Sequence, residues 1–294
     1  MTDPAVAAGL PAGTGLKNRA TLPDSCDFAI HCEDGQEGLA PELVGAFIDR
    51  LGEMRPGATV FVRSSLLAPY FERAFPLIRQ PFVLVTGGSD PASPGPYRAA
   101  LDDPRIIRWF GENGDLRVAH PKFEPVPLGI PDPNVPFGNQ AAMLRVHARM
   151  PAVEDKPLLA HASFHLTISH PARREALAAI RTIEGVVLQQ ARVAPELLWV
   201  RHAGHAFVIS PRGNGLDCHR TWEALLLRSI PIVKRSPLDP LHEAFPVVIV
   251  DDWREISLSA MGTWRERLKE GFTPAMFARL TRDYWAACIR AASG

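Results

Sequence analysis

Continuous apolar runs punctuate the first 130 residues at short intervals: DFAIHC (27–32), ATVFVRS (58–64), PFVLVTGGSD (81–90), PRIIRWFGEN (104–113) and FEPVPLGI (123–130). They read as short strands ending in Gly or polar residues. Between the first three lie two helix candidates. In the segment 41–54, Leu43, Val44, Phe47, Ile48 and Leu51 fall on one helical face, and 66–79 makes the second. Strand, helix, strand, helix, strand implies a parallel sheet with crossovers.

Residues 131–157 break this rhythm, with prolines at both ends and a helix candidate at 140–149 between them. Proline fixes φ and blocks helix continuation, so the segment suits a connection between domains. The alternation then resumes with LLAHASF (158–164), a helix over 170–183, VVLQQ (186–190), a short helix around Leu197 and AFVIS (206–210). A polar loop, PRGNGLD (211–217), a helix and IPIV (230–233) follow. The chain ends through LDPLHEAF (238–245), VVIVDD (247–252) and a helical tail rich in Trp and Arg. Two successive α/β units predict two lobes with a cleft, a preferred place for ligands. The expected division is a mobile tail over 1–22, an N-terminal Rossmann-like lobe over 23–150 and a C-terminal one over 151–294.

Length and composition narrow the function classes. A chain of 294 residues suggests about two domains. Lys plus Arg equals Asp plus Glu at 32 each, so no overall field favours nucleic acid. Four scattered cysteines without a CxxC pair suit thiols in a reducing compartment. The N-terminus lacks the basic and apolar regions of a secretory signal, and no apolar run approaches the roughly 20 residues of a membrane helix. A cytoplasmic protein is expected, with peripheral membrane contact only through a substrate.

The chemistry gathers in 206–233, a strand, loop, helix, strand unit. In an open α/β sheet such a loop binds ligands, because helix N-termini offer unpaired N–H groups and partial positive charge. Arg212 sits just past the strand, Gly213 and Gly215 let a backbone approach a ligand, and Arg220 and Glu223 lie on the first turns of the helix. An Arg fork suits phosphate, and a carboxylate one turn on can accept from a ribose diol. The alternative is that Arg212 and Glu223 only pair with each other or cap the loop.

Pro211-Arg212-Gly213, then Arg220, then Glu223-Ala224-Leu225, then Ser229 before Ile230-Pro231-Ile232-Val233, resembles the C-terminal signature of exostosin-type glycosyltransferases and their bacterial relatives. The match covers about 30 residues, with weaker support from 163–175 and 108–130. This chain departs from the family pattern at Arg228 and Ser229. The resemblance implies the GT-B architecture, two Rossmann-like lobes facing across a cleft. It also implies transfer from a nucleoside diphosphate sugar, UDP-linked, to a glycan or lipid-linked acceptor, without a cofactor or bound metal. Glu223 would hold the ribose, and Arg220 and Arg212 would neutralise the diphosphate, where charge grows as the glycosidic bond breaks. Arg173, at the start of the helix after a Thr-Ile-Ser turn, could reach the same diphosphate.

An inverting transfer also needs a base. The candidates at first-lobe strand ends are Asp90, Glu112 and His120; each could equally cap a turn. His219 and Glu223, at i and i+4, share a helical face as metal ligands would, but no third ligand lies near. A non-catalytic sugar- or nucleotide-binding protein on the same scaffold is the alternative function. A Rossmann dehydrogenase is disfavoured by the missing GxGxxG turn.

Overall fold

The computed structural model describes residue 10 and residues 14–294, except 118, 133, 134, 168, 169 and 190. Most of the expected tail, and Ile168 and Ser169 of the Thr-Ile-Ser turn, lie outside these. The fold is α/β, with two Rossmann-like lobes, each built on a parallel five-stranded sheet.

In the N-terminal lobe the sheet runs β1 (Phe28–Ile30), β2 (Ala58–Arg63), β3 (Phe82–Gly87), β4 (Ile106–Gly111) and β5 (Phe123–Pro125), in sequence order. Parallel crossovers are right-handed, so strands added in one direction send every connection over one face. That face packs Val60, Val62, Leu84 and Trp109 against helix α1 (Ala40–Asp49) and the helical segment around Tyr70. The opposite face, with Phe61, Val83, Val85 and Phe110, receives no crossover. It is covered instead by Leu22 and by the C-terminal helix, whose Trp285 and Ile289 pack there.

The C-terminal sheet has the order β10-β9-β8-β6-β7. Its strands are β6 (Ala160–Ala162), β7 (Val186–Leu188), β8 (Phe207–Ile209), β9 (Ile230–Lys234) and β10 (Val248–Val250). The chain builds outward to β7, then returns past β6 to β8, so the direction of winding reverses between β6 and β8. Loops that leave such a switch point diverge to opposite faces and open a crevice at the strands' carboxyl ends. The helices that follow these strands are α3 (Ala172–Ile180), α4 (Pro195–Ala203) and α5 (His219–Leu226), and α6 (Leu258–Leu268) packs near the end of the chain.

The lobe boundaries differ from the sequence expectation in three places. Helix α2 (Gln140–His147), expected in the first lobe, buries Ala142, Met143 and Leu144 among Trp199 and Leu225 of the second. Helix α7 (Arg282–Ala292), expected in the second, closes the first. Leu16, Lys17 and Leu22, expected in a mobile tail, are buried at 1%, 1% and 0% exposure. In each case the surface that the segment meets is set by a bare face elsewhere in the chain.

Candidate functional site

The carboxyl ends of the two sheets face one another. Asn113, just past β4, accepts from the Asp217 amide at 2.8 Å through Oδ1. Asp217 in turn accepts from the Leu128 amide at 2.8 Å, the Cys218 amide at 2.7 Å and the Trp222 indole at 2.8 Å. Burial pushes the Asp217 carboxyl up to about 6 against these bonds. His219 donates through Nδ1 to the Gly129 carbonyl at 2.7 Å. A Cβ on Gly215 would stand 2.7 Å from Asn113 Oδ1, so this glycine admits the Asn113 side chain of the other lobe.

Beside this seam lies a cavity of about 470 Å³. Its floor and walls come from the ends of β6 and β7, the start of α5 and the connection between lobes. Three of the expected residues meet in it: Arg173, Arg220 and Glu223. Arg173, from the first turn of α3, donates to the carbonyls of Arg212 at 3.2 Å and His165 at 3.1 Å, which fixes its guanidinium. Arg220 lies 5.8 Å from the Phe164 ring centre and 3.4 Å from Cys218 Sγ. Glu223 is 7% exposed; burial raises its pKa, while the charge of Arg220 and a hydrogen bond from the Trp199 indole lower it. Arg192 lines the same cavity, and the charges of Arg192, Arg220 and Arg173 join burial in lowering the His165 pKa. Three guanidiniums around one buried carboxylate can neutralise an anion while a neutral diol meets the carboxylate.

Arg212 does not line this cavity. Its Nε donates to the Gly215 carbonyl at 3.1 Å and its Nη2 to that of Asn214 at 2.7 Å, so it braces its own loop. Burial lowers its pKa, opposed by the charge of exposed Asp90 from the other lobe. The alternative pairing of Arg212 with Glu223 is absent among the described residues. A Cβ on Gly213 would have 3.6 Å to Arg173 Nη2, which is ordinary room.

The three base candidates separate. Glu112 is 0% exposed; one oxygen pairs with Lys17 and the other accepts from the Gly88 amide at 2.8 Å. His120 lies before β5, at the amino ends of the strands, 3.8 Å from Asp102, and so faces away from the cleft. Asp90 is exposed at the end of the β3 loop, on the cleft side. A second cavity, about 250 Å³, opens in the N-terminal lobe between His31, Arg63 and Gly88, and it shares Asp132 and Val135 with the larger one. His31 follows the first strand and Asp132 stands in the connection; neither carries a motif that the sequence reading could have used.

Among the described residues, no group of three or more His, Cys, Asp or Glu could hold a metal ion, and no helix is long and apolar enough to cross a membrane.

No family model matches the sequence, and a comparison with curated proteins finds no match. Among solved structures the chain is similar to the trehalose-6-phosphate synthase OtsA, at TM-score 0.49 and 10% identity over 90% of this chain and 78% of that one. It is similar to an α,α-trehalose 6-phosphate synthase from Burkholderia multivorans at TM-score 0.43 and 12% identity, over 90% and 77%. Spinosyn rhamnosyltransferase SpnG complexed with thymidine diphosphate gives TM-score 0.35 and 19% identity, over 98% and 84%. Likenesses this loose transfer no residue or activity to this chain.

Proposed function

We propose that this protein is a glycosyltransferase that moves a hexosyl or pentosyl group from a nucleoside diphosphate sugar, UDP-linked, to a glycan or lipid-linked acceptor, as an exostosin-type relative. The observation that carries the reading is the convergence of Arg173, Arg192 and Arg220 with buried Glu223 in a cavity of about 470 Å³ at the sheet's switch point. That volume lies within the range of small-molecule sites, roughly 300–1,000 Å³.

Under this reading Arg173 and Arg220 hold the diphosphate, and Glu223 accepts the ribose hydroxyls. Charge accumulates on the diphosphate as the bond to the sugar breaks, so the guanidiniums bind the transition state more tightly than the ground state. Arg212 contributes through its carbonyl, which aims Arg173, and Gly213 through the turn of that loop. The acceptor enters from the N-terminal lobe, where the 250 Å³ cavity meets the donor cavity at Asp132 and Val135. Asp90 is the one of the three expected bases that stands exposed on the cleft side. Its carboxylate would take the acceptor's proton if configuration inverts.

The test is nucleoside diphosphate release from a panel of nucleotide sugars, with and without mixed acceptors. Release by the wild type that is lost in Arg220→Ala is expected. Release from none of them would sink the enzyme reading. Donor binding without turnover across the panel would instead favour a binding protein.

A further inference from the structure

A third cavity, about 270 Å³, lies at the carboxyl ends of β8 and β9 and is separated from the donor cavity by Cys218, which lines both. Four basic side chains surround it: Arg117 from the N-terminal lobe, Arg212, Lys234 and Arg235. Among the described residues two carboxylates line the cavity with them. Asp217 is occupied by two amides and an indole, as above, and Glu175 is exposed on α3. Two of the cations are also engaged, Arg212 with its own loop and Arg235 with Asp239 and Asp251. Arg117 and Lys234, both exposed, stand at the mouth, Lys234 with the charge of Asp252 near it.

The wall holds a second, independent feature. His242 from the short helix Asp239–His242 is 4% exposed, and neither ring nitrogen has a hydrogen-bond partner among the described residues. Burial pulls its pKa down to about 4, so at neutral pH the ring is uncharged, with one N–H donor and one lone pair. Buried polar groups are almost always satisfied, and an orphaned imidazole beside a cationic cavity calls for an occupant. A hydroxyl can answer either the donor or the lone pair, which point to different sides of the ring; a phosphate group answers Arg117 and Lys234.

We propose that this cavity binds a small phosphate monoester, its phosphate at Arg117 and Lys234 and its hydroxyl-bearing body toward His242. The site is distinct from the donor cavity and does not depend on the glycosyl-transfer reading. Its effect reaches the donor side through one loop, because the Arg212 carbonyl that aims Arg173 belongs to the residue whose side chain lines the third cavity.

Calorimetry on the full chain at constant ionic strength tests this, with glycerol 3-phosphate and inorganic phosphate as probes and chloride as the control anion. A saturable component should survive Arg173→Ala/Arg220→Ala and weaken about tenfold or more in Arg117→Ala/Lys234→Ala. Glycerol 3-phosphate should also weaken in His242→Phe, which leaves the charge unchanged, while inorganic phosphate weakens less. Arg117 and Lys234 are exposed, Arg173 and His242 are buried, and a matching circular dichroism spectrum confirms that each variant folds. If every saturable component disappears in Arg173→Ala/Arg220→Ala, or survives unchanged in Arg117→Ala/Lys234→Ala, the proposal is overturned.

Discussion

The two lobes share a topology of parallel strands but differ in that, among the described residues, only the C-terminal one buries histidines with unpartnered ring nitrogens. In the N-terminal lobe Lys17, Arg63 and Glu112 are buried at the strands' carboxyl ends, and each has a partner: Lys17 with Glu112, and Arg63 with Asp34, Glu37 and the Cys32 carbonyl. In the C-terminal lobe His161, His202 and His242 are buried within the fold, and each has at least one ring nitrogen without a partner. His161 is the central residue of β6, stacked on His205 at 5.1 Å and edge-on to His202 at 5.0 Å. Paired charges act as latches, whereas rings kept neutral by burial leave a lobe open to acid. The strands differ in the same sense: β2, β3 and β4 each span six residues, while four of the five in the second sheet span three. The lobe with the shorter strands carries the crevice, the unpartnered histidines and most of the lining of the 470 Å³ cavity.

The largest expected effects lie in the first lobe. Lys17→Met leaves the Glu112 carboxylate buried without its cation, and should cost about 3–5 kcal/mol in denaturant unfolding. Adding Glu112→Gln should recover part of that; no recovery would contradict the pairing. Trp285→Ala uncovers the sheet face that no crossover reaches, and a similar loss of about 3–5 kcal/mol is expected. A loss under about 1 kcal/mol, as for an exposed side chain, would mean that α7 does not close this face.

Acid should act on the second lobe. Burial, then the charge of His205, holds the His161 pKa at about 4, below the ordinary 6.5, and burial does the same to His242. The unfolded chain therefore binds more protons between these values. The stability these rings permit is complete above about pH 6.5 and falls as pH drops toward about 4, by about 3 kcal/mol per ring. His161→Leu should flatten that limb in unfolding followed from pH 7 to 4.5. An acid limb of unchanged steepness would place the loss elsewhere. The smallest effect belongs to His120→Ala, which faces away from the cleft: turnover unchanged and stability within about 0.5 kcal/mol. A large fall in turnover would return His120 to the site.

Much of the fold was legible in the sequence because parallel strands buried on both faces leave continuous apolar runs, and crossovers leave helical periodicity between them. The positions of α2 and α7 were not. Trp285 and Ile289 mark an apolar face, but the surface they cover is decided by the one-directional order of β1 to β5, which pairing fixes and local pattern does not. That Arg173, Arg220 and Glu223 meet in one cavity was readable because one crevice gathers the ends of neighbouring elements. Arg212 was misplaced because an Arg beside a Gly-rich turn can brace the turn's carbonyls as well as a ligand. Glu112 looked like a base at a strand end because its partner, Lys17, is 95 residues away. His31 and Asp132 were missed for the same reason, since the contact between cavities joins parts of the chain with no shared motif.

The most direct test of the central claim is calorimetry with UDP on the wild type, Arg173→Ala/Arg220→Ala and Glu223→Ala. Saturable binding is predicted in the wild type, with the double arginine variant weakened by about 100-fold or more and Glu223→Ala by about tenfold, in line with charge-assisted hydrogen bonds. Equal affinity in all three proteins, or no binding of UDP or another nucleoside diphosphate to the wild type, would contradict it.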